Sequence, residues 1–188
     1  MDYVPAYNDD YANYCEQQDS QPLPQFAQAP INQKTAPRGD YYSIKVFSKR
    51  SAIEVKKDQT KKHFNTIRIE GAIGQNRQYD WRNKITIQLT KNDILSFMAV
   101  FLMIKPNVEL KNYGENNDKM LTAKYQDKTN NFFISLTQSG KKMVGVPIGM
   151  VDAIQIGQYC LEQYLNNFDN IQSDTVVNHL QRAANIGW

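Results

Sequence analysis

The chain has 188 residues, of which 41% are hydrophobic, and a formal net charge of +3. This length allows one domain with a buried core. The two cysteines, Cys15 and Cys160, are too few for a disulfide framework or a zinc site and favour a reducing compartment. The longest apolar run, Leu95–Ile104, is too short to cross a bilayer, so we expect no membrane partner.

The charges are unevenly distributed along the chain. Five acidic residues and no Lys or Arg precede Lys34. Residues 34–188 therefore carry all 22 basic residues and 14 of the 19 acidic ones, a net charge of +8. A basic body of this kind predicts a polyanionic partner. The acidic beginning is unlike a signal or transit peptide, so we expect a location in the cytoplasm or nucleoid.

Three regions are predicted from composition and periodicity. Residues 1–39 are rich in Gln, Asp, Asn, Tyr and Pro without a sustained helix or strand period, which predicts a disordered, acidic and Gln-rich tail. A folded domain is predicted over residues 40–170. Residues 171–188 are expected to form a C-terminal helix or tail, with the helix running from about Ser173 to Ala184.

The first half of the domain shows strand alternation followed by a helix. Strands are predicted around residues 42–46, 52–55, 64–73 and 85–89. The segment T-K-N-D at 90–93 resembles a capping box, and the following I-L-S-F-M-A-V-F-L-M-I is apolar on nearly every side. Because one sheet cannot cover such a helix, we expect a helix of a second subunit to do so, and hence a homo-oligomer.

The second half repeats this order. Strands are predicted at about residues 107–112, 119–126, 131–138 and 141–147, with S-G-K-K as a hairpin turn. A helix is predicted from about Gly149 to Phe168, just after Pro147. The chain is therefore predicted to adopt an α+β fold of two antiparallel four-stranded units, each followed by a helix, written (ββββα)2.

One segment mixes residue types that neither a core nor a plain surface loop would use together. Residues 74–84 read G-Q-N-R-Q-Y-D-W-R-N-K. A buried core has no use for its three cations, and an exposed loop has little use for Tyr79 and Trp81. A groove for single-stranded nucleic acid uses both, because cations follow phosphates and ring faces stack on bases.

This segment also resembles a known family. R-Q-Y-D-W-R-N-K, followed by a strand and a buried helix, resembles the Whirly family of single-stranded DNA-binding proteins, whose members carry a similar R-Q-Y-D-W segment. Upstream, Y-S-I-K-V-F-S-K-R-S-A-I-E-V resembles the strand–turn–strand that holds the family's K-G-K-A-A-L motif. Downstream, N-F-F-I-S-L and V-P-I-G-M-V-D-A-I resemble its penultimate strand and strand-to-helix junction. The matches span Tyr41 to Phe168 in family order.

The resemblance implies two antiparallel four-stranded sheets packed together with helices, and a homotetramer with the helices at its centre. It also implies that single-stranded DNA runs along the sheets and between protomers without strong sequence preference, for protection during replication, recombination or repair. The family's K-G-K is replaced here by Ser48, Lys49 and Arg50, so larger assemblies of tetramers are not carried over. Plant members carry a transit peptide, which the acidic beginning of this sequence does not resemble, so we expect a bacterial, phage or mobile-element origin rather than a plant organelle.

Cations and aromatics of the first unit are the candidate nucleic-acid-binding residues. They are Lys45, Phe47, Lys49, Arg50, Lys56, Arg68, Arg77, Tyr79, Trp81, Arg82 and Lys84. Any one of the cations could instead belong to a solvated sheet face, and Tyr79 and Trp81 could pin the 75–83 loop. Asp80 is expected to be a structural partner of an Arg or a backbone amide. Alternation places Tyr42 and Phe47 on opposite faces, and likewise Phe132 and Phe133.

The sequence carries weaker signals for other classes of function. The only histidines, His63 and His179, lie near no Cys or paired carboxylate, and no P-loop, GxSxG or HExxH motif occurs, so we expect neither an enzyme nor a cofactor or metal. RNA binding or annealing is one alternative, and an oligomeric scaffold or a transcription regulator acting on duplex DNA is another. Trp188 at the C-terminal end is a candidate for docking on a neighbouring subunit or another protein.

Overall fold

The computed structural model describes residues 42–188, so the tail predicted for residues 1–39 lies outside the described part. Over this range the chain forms an α+β fold of two antiparallel sheets and three helices. The elements follow in the order β1 (Ser43–Phe47), β2 (Ser51–Gln59), β3 (Asn65–Gln75), β4 (Gln78–Tyr79), β5 (Ile85–Gln88), α1 (Asp93–Phe101), β6 (Asn107–Tyr113), β7 (Lys119–Gln126), β8 (Asn131–Gln138), β9 (Val144–Ile148), α2 (Met150–Leu165) and α3 (Ser173–Asn185).

The first sheet has the order β1-β2-β3-β5, and the short strand β4 pairs with the end of β3. Its inner face is fully buried and carries residues such as Ile53, Ile69 and Ile87, whereas charged side chains occupy the outer face. The predicted α+β fold with two antiparallel sheets is confirmed. Strand β4 was not predicted, because a two-residue strand is too short to show alternation.

The second sheet has the order β6-β7-β8-β9. Leu121, Ile134 and Val146 are fully buried on its inner face. The two sheets meet where β2 lies near β9, and there the Ser51 hydroxyl donates a 2.5 Å hydrogen bond to the Gly145 carbonyl. This bond holds the beginning of β2 against the second sheet.

Helix α1 is buried by its own chain. One half of the predicted capping box forms, since the Asp93 amide donates to the Thr90 hydroxyl at 3.3 Å. In place of the other half, the Thr90 hydroxyl donates to the Asp93 carboxylate at 2.5 Å. Five of the six buried helix residues are completely inaccessible and the sixth, Phe101, is 2% exposed. Helix α2 and strands β6 and β7 of the second sheet supply much of this cover. The premise that another subunit must cover α1 is therefore wrong, and the homo-oligomer stays a prediction.

Among residues 42–188, no helix combines the length and the apolar character that a membrane span requires.

Trp188 is 42% exposed, and the Lys105 ammonium lies 4.2 Å from the centre of its ring. The indole thus makes a cation–π contact within its own chain.

Candidate nucleic-acid interface

Two turns lie side by side at one end of the first sheet, the β1–β2 turn and the β3–β4 hairpin. The Gly74 amide donates to the Arg50 carbonyl at 2.8 Å, and the Tyr79 hydroxyl donates to the Ser48 carbonyl at 2.6 Å. The hairpin turns through Asn76 and Arg77, whose φ angles are 51° and 63°. Two central residues with positive φ are typical of a type I′ turn. The packing of these turns places Arg50 and Arg77 at the same end of the sheet.

An aromatic pair lies on the outer face at this end. The rings of Phe47 and Tyr79 are 5.4 Å apart, and Phe47 is 56% exposed. Tyr79 lies directly over Gly74, where a Cβ atom would come within 2.3 Å of the ring. Tyr79 therefore packs on the hairpin and holds it in place, which is one of the two roles that the sequence predicted for it. Phe47 instead presents a ring face to solvent.

The cations beside these rings are free of carboxylates. Lys49, Arg50 and Arg77 are exposed, and none of them pairs with an acidic residue of the described range. Together with Phe47 and Tyr79 they form what we call the turn-end cluster. Four of its five residues line a concave surface of about 600 Å³. The cluster thus brings ring faces and unpaired positive charge together.

A second concavity continues from the cluster onto the other sheet. This intersheet groove of about 980 Å³ runs from Lys49 and Arg50 to Phe133, Lys142 and Met143. The last three residues were not predicted as site residues. Lys142 and Met143 are exposed and adjacent in sequence. Like residues 74–84, they combine a cation with an apolar side chain, and this combination could have indicated them in the sequence.

Phe133 follows the predicted alternation. Phe132 is fully buried and Phe133 is partly exposed. The ring of Phe133 covers Gly145, where a Cβ atom would lie 2.7 Å from it, and the Lys124 ammonium is 6.0 Å from the ring centre. The groove therefore has an aromatic face on the second sheet as well.

The other strand cations lie at the centre of the outer face, where carboxylates accompany them. Glu70, only 3% exposed, contacts Lys56 at 2.8 Å and Lys84 at 2.7 Å. We call this region the compensated band. Its remaining ion pairs are Lys45–Glu54 at 3.6 Å, Lys56–Glu54 at 3.3 Å, Arg68–Glu70 at 3.5 Å and Arg68–Asp58 at 3.6 Å.

Two carboxylates of the band, Glu54 and Glu70, have a pKa below the ordinary value. Burial acts to raise the pKa of Glu70, but hydrogen bonds from Lys56 and Lys84 outweigh it and hold that pKa below its ordinary value. For Lys56, burial is the largest single influence and acts to lower the pKa, but the combined hydrogen bonds and charges of Glu70 and Glu54 outweigh it and raise the pKa. Four candidate site residues, Lys45, Lys56, Arg68 and Lys84, are thus brought together but already paired with acids.

Trp81 and Arg82 lie in a short 3-10 turn, Trp81–Asn83. Asp80 caps this turn by accepting hydrogen bonds from the amides of Arg82 and Asn83, both at 3.2 Å, and from the Asn83 side chain at 2.6 Å. The last bond is the main cause of the lowered pKa of Asp80. The prediction that Asp80 supports backbone amides is confirmed. Trp81 is partly exposed and Arg82 exposed, and neither lines the intersheet groove or the concave surface of the cluster.

Groups suited to metal binding are not assembled in the part of the chain that the structure covers: no three His, Cys, Asp or Glu side chains come together there. Cys160 is completely buried, and burial raises the pKa of its thiol. A protonated and inaccessible thiol is unsuited to nucleophilic chemistry.

Comparison with known proteins adds information on the fold. No family model and no curated protein matches the chain. Among solved structures, the chain is similar to Trypanosoma brucei MRP1/MRP2, with a TM-score of 0.50 and 9% sequence identity over 67% of this chain and 84% of that one. At this identity the likeness concerns the fold alone, and it supports the arrangement of two antiparallel sheets with helices.

Proposed function

We propose that the protein binds single-stranded DNA through the turn-end cluster without strong sequence preference. In this role it coats or protects single strands during replication, recombination or repair, as a Whirly-like protein. The observation that carries the proposal is the exposed Phe47 ring, paired with Tyr79 and sharing a concave surface with Lys49 and Arg77, two cations that have no carboxylate partner among residues 42–188.

The cluster offers both interactions that an unpaired strand needs. Cations that neutralise phosphates release bound counterions, which makes affinity fall with salt by a slope of roughly 0.7 per phosphate for single strands. A base that stacks on an aromatic ring contributes about 1–3 kcal/mol whatever its identity. Because a duplex buries its base faces, a site of this kind favours single strands.

Two further observations support the proposal. The segments that resemble the Whirly family, residues 42–55 and 77–84, include the residues that build the cluster. The intersheet groove then provides a path from the cluster to Phe133. A homotetramer also belongs to the proposal, and the exposed apolar residues Val151 (69%) and Ile154 (49%) on α2 are suited to a helical interface.

The test is fluorescence anisotropy of a labelled oligo-dT of about 12 nucleotides, a length within the usual range of single-strand sites. We expect binding that weakens steeply with salt and that duplex DNA does not displace. An RNA competitor of the same sequence tests the RNA alternative: equal displacement would extend the proposal to RNA. Displacement by duplex DNA would favour the regulator alternative instead.

A pair of variants links binding to the ring. Phe47→Ala should weaken binding at least about fivefold, the loss of one stacked base. Tyr42→Ala is the matched control, because Tyr42 is similarly exposed (54%) but packs against Tyr159 of α2. Equal affinity of the two variants would contradict the proposed site.

A further inference from the structure

A small pocket opens beside the intersheet groove, between the beginning of β5 and the beginning of β9. Its volume is about 280 Å³, and Ile73, Ile85 and Val144 form its apolar wall. Ile73 is partly exposed and supplies the accessible part of this wall, while Ile85 and Val144, each 1% exposed, support it from the core. A planar ring can contact Ile73, and the volume suits a single nucleobase rather than a base pair.

The pocket communicates with the groove. Ile73, Asp80 and Lys142 line both. Lys142 is exposed and pairs with no acid in the described chain, so it can contact a phosphate at the entrance. The Lys141 ammonium donates to the carbonyls of Asn83 and Lys84, at 3.3 and 3.4 Å, and so holds one side of the pocket in place.

The polar rim has a defined hydrogen-bonding character. One oxygen of Asp80 accepts the two amide hydrogen bonds of the 3-10 turn, and the other accepts only from the Asn83 side chain. A carboxylate offers about four acceptor positions, so this second oxygen has one left. Asp80, like any exposed aspartate, is ionised at neutral pH, and its hydrogen bonds lower its pKa further, so it can accept hydrogen bonds but not donate them.

We propose that this pocket takes one base of the strand lying in the groove and that Asp80 selects bases with an exocyclic amino group. This inference rests on the proposed function. An acidic side chain accepts a hydrogen bond from the N4 amino group of cytosine, whereas thymine presents the O4 acceptor at the same position. A carboxylate facing O4 gains no hydrogen bond, and two acceptors repel each other. The binding site therefore favours cytosine over thymine.

The experiment compares oligo-dC, oligo-dT and oligo-dU of about 12 nucleotides by anisotropy at neutral pH. The wild-type protein should bind oligo-dC about three- to tenfold more tightly than the other two. Oligo-dU is informative because it lacks the thymine methyl group but keeps O4. If oligo-dU binds like oligo-dC, the methyl group is the discriminator and the inference about Asp80 is overturned.

Asp80→Asn tests the selecting group. Asn caps helical turns about as well as Asp, so the turn is kept while one acceptor becomes a donor. The preference for oligo-dC should disappear, and Asp80→Ser, which also caps, should lose it as well. The control Asp127→Asn makes the same charge change on an exposed turn of the second sheet and should keep the preference.

The two proposals fail in different ways. Equal binding of oligo-dC and oligo-dT by the wild-type protein, or a preference that survives in both Asp80 variants, overturns the pocket inference and leaves the proposed function intact. No binding of any of the oligonucleotides overturns the proposed function and the pocket with it.

Discussion

The turn-end cluster and the compensated band lie on the same sheet face and differ in what their cations contact. The band holds four cations, and each lies 2.7–3.6 Å from a carboxylate. The three cations of the cluster have no such partner among residues 42–188. The number of cations on a strand therefore does not identify a polyanion site. Cations that have no carboxylate partner in the described part of the chain are the better guide to such a site.

Strand register explains the difference. Glu54 is directly opposite Glu70, and Lys56 is opposite Arg68. Like charges in these positions would repel, but the diagonal contact from Lys56 to Glu70 compensates them. The band thus stabilises the pairing of β2 with β3, and a phosphate could bind there only by displacing a carboxylate. Turn residues have no cross-strand partner and remain available.

The largest effect on DNA affinity is expected from removing the two cations of the β1–β2 turn. Lys49→Ala with Arg50→Ala should weaken oligo-dT binding at least about tenfold and reduce the salt slope by about 1.4, the value for two phosphates of a single strand. Lys61→Ala with Lys62→Ala is the matched control, since these exposed lysines lie on the β2–β3 turn at the other end of the sheet. Anisotropy over a salt series measures both. Equal losses would mean that net charge, and not the cluster, determines binding.

A smaller effect is expected from Arg77→Gly, which should lower DNA affinity but raise the stability of the fold. The variant loses one phosphate contact, so affinity should fall about three- to fivefold. It also places glycine at a φ of 63°, which should raise the free energy of unfolding by about 1 kcal/mol. Arg77→Ala should lose the same affinity without that gain, as thermal unfolding can show. Full affinity in Arg77→Gly would remove Arg77 from the interface.

The smallest effect on binding is expected in the band, where the change should appear in stability. Glu70→Gln should alter oligo-dT affinity less than about twofold and lower stability at neutral pH by about 1 kcal/mol, a value reduced for solvent screening. Because the folded-state pKa of Glu70 is lowered, its contribution is present above about pH 4.5 and is lost as the pH falls through the folded pKa. Urea unfolding should therefore show wild type and variant converging in acid.

Glu109→Gln is the control for this pH dependence. Glu109 pairs with Lys111 on the second sheet, and both side chains are at least half exposed. An exposed pair of this kind contributes little, so the variant should unfold like the wild type at all pH values. A difference between Glu70→Gln and wild type that persists unchanged in acid would show that packing, not charge, explains the loss.

Most of the fold could be predicted from the sequence because alternation records which strand face is buried. That rule placed Phe132 and Phe133 on opposite faces, and the structure then showed that Phe132 is the buried one. The ion pairs of the band could not be predicted, since they depend on the register of β2 against β3. Lys142 and Met143 were missed because the groove exists only where the two sheets meet. The cover of α1 was misjudged because α2 returns to it from far along the chain.

The hydrogen bond between Ser51 and Gly145 has a consequence for how this chain can evolve. Position 51 must supply a hydroxyl to reach the carbonyl at 2.5 Å, and a Cβ atom at position 145 would lie 2.7 Å from the Phe133 ring and force that ring out of its place in the groove. Ser51 and Gly145 connect the two sheets that form the groove, and neither carries a charge that could contact a ligand. In diverging homologues we therefore expect the charges of the 48–50 turn to drift between lysine and arginine, while a small hydroxyl at 51 and glycine at 145 persist.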